Sequence, residues 1–143
     1  MFDSVLVVCT GNICRSPMGE RILQSLLPEK IIKSAGVGAL VGHPADPLAI
    51  QVSNEKGINL EGHSGTQFTS AMSIEYDLIL VMDKNHIEQV SKIAPHARGK
   101  TMLIGRWIGN KEIPDPYKQS KEAFEFVYQL IDEACHSWAQ RLR

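Results

Sequence analysis

Ser4-Val5-Leu6-Val7-Val8-Cys9-Thr10-Gly11-Asn12-Ile13-Cys14-Arg15-Ser16-Pro17 is the stretch that decides the fold class. Ser4 to Cys9 is a continuous β-branched and aliphatic run, the pattern of a parallel strand buried on both faces. Thr10-Gly11-Asn12 breaks it. Ser16-Pro17 then reads as a helix N-cap followed by a first helical residue. Behind that pair Met18, Ile22, Leu23 and Leu26 recur at helical spacing until Pro28 stops them.

The rest of the chain repeats this alternation. Lys30 to Ala35 reads as a second strand, ended by Gly36 and Gly38. Asp46-Pro47 opens a helix striped by Leu48, Ala49 and Val52, with Gly57 as its stop. Tyr76 to Met82 is a third strand. Asp83 caps the next helix, whose stripe is Ile87, Val90 and Ile93 and which Pro95 ends. Thr101 to Ile104 is a short fourth strand and Ile108 to Lys118 an irregular loop. Ser120 opens a long last helix with Phe124, Val127, Tyr128, Ile131, Cys135, Trp138 and Leu142 on one face. The expectation is one α/β domain over residues 1–143: a doubly wound, four-stranded parallel sheet with helices on both faces. Ligands of such sheets bind at the carboxyl ends of the strands, which directs attention to the anion-binding type of loop after the first strand.

Composition limits the function classes. The 143 residues carry a formal net charge of -1, against the strongly basic face of a general nucleic-acid binder, so no nucleic-acid partner is expected. No apolar run approaches the roughly 20 residues that span a bilayer, so no direct membrane insertion is expected either. Three cysteines make no disulfide framework and fit a reducing, cytoplasmic setting.

In the loop, five residues separate Cys9 at a strand end from Arg15 at a helix start. A loop that curls over that span can turn its N–H groups into an anion nest, to which the helix N-terminus adds its own free donors. Thr10, Gly11, Asn12, Ile13, Cys14 and Ser16 would form this phosphate-binding loop, with Gly11 and Asn12 able to take left-handed conformations. Arg15 offers a planar fork for two oxygens of a tetrahedral anion. The same field favours the thiolate of Cys9, the nucleophilic form, and Ser16 is placed to bond that sulfur. No metal and no cofactor is required. The plainer alternatives are an inert thiol at Cys9, a solvated Arg15 and a Ser16 that only caps. Asp115, between Pro114 and Pro116, is the candidate proton donor and Tyr117 a candidate wall for an aryl ring; a simple Asp-Pro turn fits the same residues.

Val8 to Pro17, Ser34-Ala35-Gly36 and Asp115-Pro116-Tyr117 resemble, in order and separation, the low-molecular-weight protein tyrosine phosphatases. That resemblance implies Cys9 as nucleophile, Arg15 as transition-state clamp, Asp115 as general acid and then base, Asn12 as a brace and Ser16 as thiolate stabiliser. It implies His63 as support for the loop, against a surface turn. It also implies a reversible Cys9–Cys14 disulfide as a shield against oxidation, against a merely packed Cys14. Gly38 to Gly42 and Arg98 to Leu103 resemble the bacterial branch associated with capsule and exopolysaccharide production. Members of that branch dephosphorylate a membrane tyrosine autokinase of polysaccharide export, so a tyrosine-phosphorylated protein of that kind is the expected partner.

Leu40 stands in the rim where eukaryotic relatives usually carry an aromatic, and Lys118 follows Tyr117 in place of a second aromatic. Asp83 is expected as a helix cap rather than a catalyst, Cys135 as core, and His43, His86, His96 and His136 as solvated. Two rival functions are weighed. An arsenate reductase would need a relay cysteine after the third strand, where Met82 to Gln89 has none. A non-catalytic phosphotyrosine-binding module would tolerate loss of the nucleophile or the acid, yet both are present.

Overall fold

The computed structural model describes residues 2–143. Strands β1 (Ser4–Cys9), β2 (Ile31–Gly36), β3 (Leu78–Val81) and β4 (Thr101–Leu103) form a parallel sheet in the order β2-β1-β3-β4. Register places Cys9 opposite Gly36 and Val8 opposite Val81. Helices α1 (Arg15–Leu26), α2 (Pro47–Glu55), α3 (Ser70–Ile74), α4 (Lys84–Ile93) and α5 (Lys121–Leu142) fill the connections. Alternation along β1 divides the core. Val5 and Val7 pack with α1, α2 and α5 on one face, and Leu6 and Val8 with Phe68, Val90 and the α4 side on the other. All seven residues of the expected stripe on α5 are buried, which is what holds so long a helix against the sheet.

The chain leaves β1 for β2 on one side and pairs with β3 on the other, so the loop after β1 sits at the topological switch of the sheet. Asp83 caps α4 by accepting the His86 N–H (3.0 Å), Asp46 caps α2 through Leu48 N, and Ser120 caps α5.

Three local readings need correction. Ser16-Pro17 is not the cap pair: α1 begins at Arg15, and its N-cap residue Cys14 makes no side-chain cap bond. Proline is accommodated there because first-turn N–H groups have no intrahelical acceptor. Helix α3 was not expected; at five residues it is too short to show a stripe. Pro95–Lys100 and Arg106–Ile108 form 3₁₀ turns that were not expected, the second ending at Ile108, where the expected loop begins.

Beyond β4, Trp107 meets Trp138 edge-on with ring centroids 5.6 Å apart. The Arg141 and Arg106 guanidiniums lie 4.1 and 4.9 Å from the Trp107 ring centroid, and Trp138 Nε1–H donates to the Ile104 carbonyl (2.9 Å).

Candidate active site

The loop from Cys9 to Cys14 is shaped by its carbonyls. Val37 N donates to Cys9 O, Gly38 N to Thr10 O, Leu40 N to Gly11 O and Asp46 N to Ile13 O, all at 2.8 to 3.0 Å. The His63 ring Nε2 bonds Asn12 O at 2.6 Å, and Met18 N reaches Cys14 O. Six consecutive carbonyls are thereby turned outward into the protein. In a trans peptide the N–H points opposite the C=O, so each following amide is turned toward the concave side. Among the described residues, no backbone N–H from Thr10 to Ser16 has an acceptor within the chain. The result is a cradle of free donors at the mouth of α1.

Asn12 makes the curl possible with a left-handed backbone (φ 59°) and braces it with its side chain. Its amide donates to Ser16 Oγ (2.7 Å) and Ser34 Oγ (3.1 Å), while its Oδ1 accepts Thr66 N (2.9 Å). Ser34 in turn donates to Glu20 Oε1 (2.6 Å). Gly11, expected to share the left-handed geometry, does not adopt it. Gly36 is there for space: a side chain would overlap the Thr10 carbonyl oxygen.

Cys9 Sγ lies 2.9 Å from Ser16 Oγ, which explains why Ser16 is not spent on capping. Arg15 is buried (3% exposed) and donates through Nη1 to Ile113 O (2.8 Å), which ties the distant Asp115 loop to α1. Asp115 Oδ2 stands 3.7 Å from Arg15 Nη2, and Asp83 Oδ2 3.6 Å from Nη1. Asp83 is therefore a cap and also a neighbour of the guanidinium. Tyr117 N donates to Asp115 Oδ1 (3.0 Å), which leaves Oδ2 as the oxygen beside Arg15.

These residues enclose a pocket of about 210 Å³ lined by Cys9, Thr10, Gly11, Ile13, Cys14 and Arg15 below and by Leu40, Asp115 and Tyr117 at the rim. Leu40 and Tyr117 are partly exposed hydrophobics. Cys9 and Cys14 are both free and both line the pocket. Burial, then the carboxylate of Asp46, pushes the Cys14 thiol well above the ordinary cysteine value. Cys135 is fully buried and points its thiol at Gly19 O.

His63, expected either as loop support or as a surface turn, contacts the loop. His86, expected in solvent, is 1% exposed. Its Nε2 lies 2.9 Å from Thr10 Oγ1, and its Nδ1 accepts the Met82 N–H at 3.3 Å. The available signal was its spacing: His86, Val90 and Ile93 lie at i, i+4 and i+7, so the histidine shares the buried face of α4. No group of His, Cys, Asp and Glu among the described residues has the geometry of a metal site.

The family model for low molecular weight phosphotyrosine protein phosphatase matches residues 4–143. A putative low molecular weight protein-tyrosine-phosphatase of Klebsiella pneumoniae is 60% identical over 100% of this chain and 99% of its own. The crystal structure of the tyrosine phosphatase Wzb from Escherichia coli K30 in complex with sulphate covers 100% of both chains at 62% identity, with a TM-score of 0.99. Vibrio vulnificus Wzb in complex with benzylphosphonate covers 99% of both at 59% identity, with a TM-score of 0.97. The chain therefore belongs to the low molecular weight phosphotyrosine protein phosphatase family.

Proposed function

We propose that this protein tyrosine phosphatase hydrolyses phosphotyrosine through a cysteinyl-phosphate intermediate, with Cys9 as nucleophile, Arg15 as clamp and Asp115 as proton donor and acceptor. The observation that carries the reading is the cradle of free amides closing on Cys9 Sγ with Arg15 and Asp115 opposite one another. The phosphoryl oxygens take the loop amides and the Arg15 fork, and Leu40, Ile13 and Tyr117 wall the aryl ring. The Cys9 thiolate attacks phosphorus, forming the S–P bond as the P–O bond to the tyrosyl oxygen breaks. Asp115 delivers its proton to that oxygen, whose phenol would otherwise leave as a strong base. Water then attacks phosphorus, Asp115 takes its proton, and inorganic phosphate departs with the thiolate restored. Ser16 stabilises the sulfur anion at both stages.

The arsenate alternative lacks a relay thiol, because Cys135 is sealed in the core away from the pocket. As physiological substrate we infer a cytoplasmic, tyrosine-phosphorylated segment of a membrane autokinase of polysaccharide export. Its support is the likeness to the Wzb structures described above, together with the segments Gly38 to Gly42 and Arg98 to Leu103 that resemble the exopolysaccharide-associated branch. No helix among the described residues is long and apolar enough to cross a membrane, and three free cysteines fit a reducing compartment.

The test follows phosphate release from an aryl phosphate and a phosphotyrosyl peptide in EDTA with reductant. Wild type should turn over, Cys9→Ser should not, and Asp115→Asn should be slowed about 10²–10⁴-fold, more for the more basic leaving group. Turnover by Cys9→Ser, or none by wild type, refutes the assignment.

A further inference from the structure

His86 is a buried titratable group beside the site that the mechanism leaves unused. It enters from α4, across the sheet from α1, and both of its ring nitrogens are engaged. The Met82 backbone N–H can only donate, so Nδ1 carries the lone pair. The ring proton is then on Nε2, and Nε2–H donates to Thr10 Oγ1. Thr10 is the residue directly after the nucleophile, and its carbonyl is already fixed by Gly38 N. With its oxygen accepting from His86, the Thr10 hydroxyl keeps its own hydrogen for an acceptor in the pocket that Thr10 lines.

We propose that His86, as the neutral Nε2–H tautomer, is a positioning residue that braces the first residue of the phosphate cradle from α4 and thereby sets the aim of the loop amides. The inference rests on the reading of the pocket as a phosphate site. The surroundings disfavour the charged ring. Burial lowers the pKa of His86 and the neighbouring Arg15 lowers it further, while Asp83 and Asp115 pull the other way. A second proton would also have to enter at Nδ1, where the Met82 N–H already points. Asp83, whose Oδ1 caps α4 at the His86 amide, lies 3.5 Å from the same Nδ1 and 3.6 Å by its other oxygen from Arg15. The ring thus joins loop, cap and clamp in one cluster.

The experiment is a double-mutant cycle on the full chain with His86→Leu, Thr10→Val and the double variant. It measures kcat/KM on an aryl phosphate and, by calorimetry, the affinity for inorganic phosphate. Each single variant should lose roughly fivefold to tenfold in both quantities, the scale of one positioned neutral hydrogen bond, and the double variant no more than either. His86→Gln, which retains a side-chain N–H able to reach Thr10, should recover to within about threefold of wild type. If His86→Leu does not fold, His86→Met, which likewise lacks the ring N–H, takes its place in the cycle with Thr10→Val. Fully additive losses, or a His86→Leu variant indistinguishable from wild type per folded molecule, overturn the proposal. Cys9→Ser run alongside separates the two failures. Absent wild-type turnover counts against the catalytic reading, while the phosphate affinities still decide the role of His86.

Discussion

Gly36→Ala is the perturbation that most directly probes how the phosphate cradle is held. Gly36 is locked on every side: it pairs with Cys9 in the β1–β2 ladder, its N–H donates to Thr66 O (2.9 Å) and its carbonyl accepts Phe68 N (2.8 Å). An added Cβ would overlap the Thr10 carbonyl oxygen and stand 3.0 Å from Asn12 N and 3.1 Å from Asn12 Cβ. Gly36 is not among the positive-φ residues, so the substitution is a steric test alone. Because β2 cannot retreat, the cradle must move by about 1 Å to restore ordinary contact. Overpacking of this kind costs about 1–3 kcal/mol of stability, which a domain of ordinary stability survives. A reacting group misplaced by about 1 Å loses on the order of 10²-fold in rate, about 2.7 kcal/mol in the barrier. The assay is kcat/KM on an aryl phosphate beside a urea titration, with Gly99→Ala, whose Cβ would meet nothing within 4 Å, as the control. If Gly36→Ala keeps kcat/KM within threefold of wild type while folded, the argument that backbone crowding sets the cradle is wrong.

Two other outcomes follow from the electrostatics. The burial-raised Cys14 thiol stays protonated at neutral pH, so iodoacetate at pH 7 should leave Cys14 and Cys135 unlabelled and modify Cys9, with phosphate protecting it, as peptide mass spectrometry will read. The Asp77 carboxylate accepts the backbone N–H of Asp3 (2.8 Å) and of Ser4 (3.3 Å), and these bonds hold its pKa below the ordinary carboxylate value. A depressed folded-state pKa adds stability above the unfolded value, and that stability is lost as pH falls through the folded one. Asp77→Asn should therefore melt below wild type at pH 7, and the gap should close as the buffer is taken below about pH 3.9.

Much of this molecule is legible in its sequence because its two central strands are buried on both faces. Runs such as Ser4 to Cys9 and Leu78 to Val81 have no exposed face to blur them, and the α5 stripe extends over six turns of helix. The misreadings of Ser16 and His86 share one cause, which is that each side chain bonds a partner its local pattern does not point to. Ser16 looks like a cap until Cys9 and Asn12 claim its hydroxyl. His86 reads as a solvated imidazole until Thr10, 76 positions away, bonds its ring. Glu20 and Ser34 carry no local sign that they finish the bonding network begun at Asn12. Helix α3 was missed for the opposite reason, since five residues hold too little pattern to read.

The paired indoles beyond β4 have a practical consequence. The chain contains two tryptophans, Trp107 and Trp138, and neither lines the pocket. Tryptophan fluorescence, excited selectively over the three tyrosines, therefore originates from the seam between the last turns of α5 and the Arg106–Ile108 turn, where two guanidiniums flank one of the emitters. Emission reports whether that seam is closed, and colour release from an aryl phosphate reports the cradle. A single cuvette thus carries two separate signals, and a denaturant series can reveal whether the catalytic loop fails before the C-terminal helix detaches.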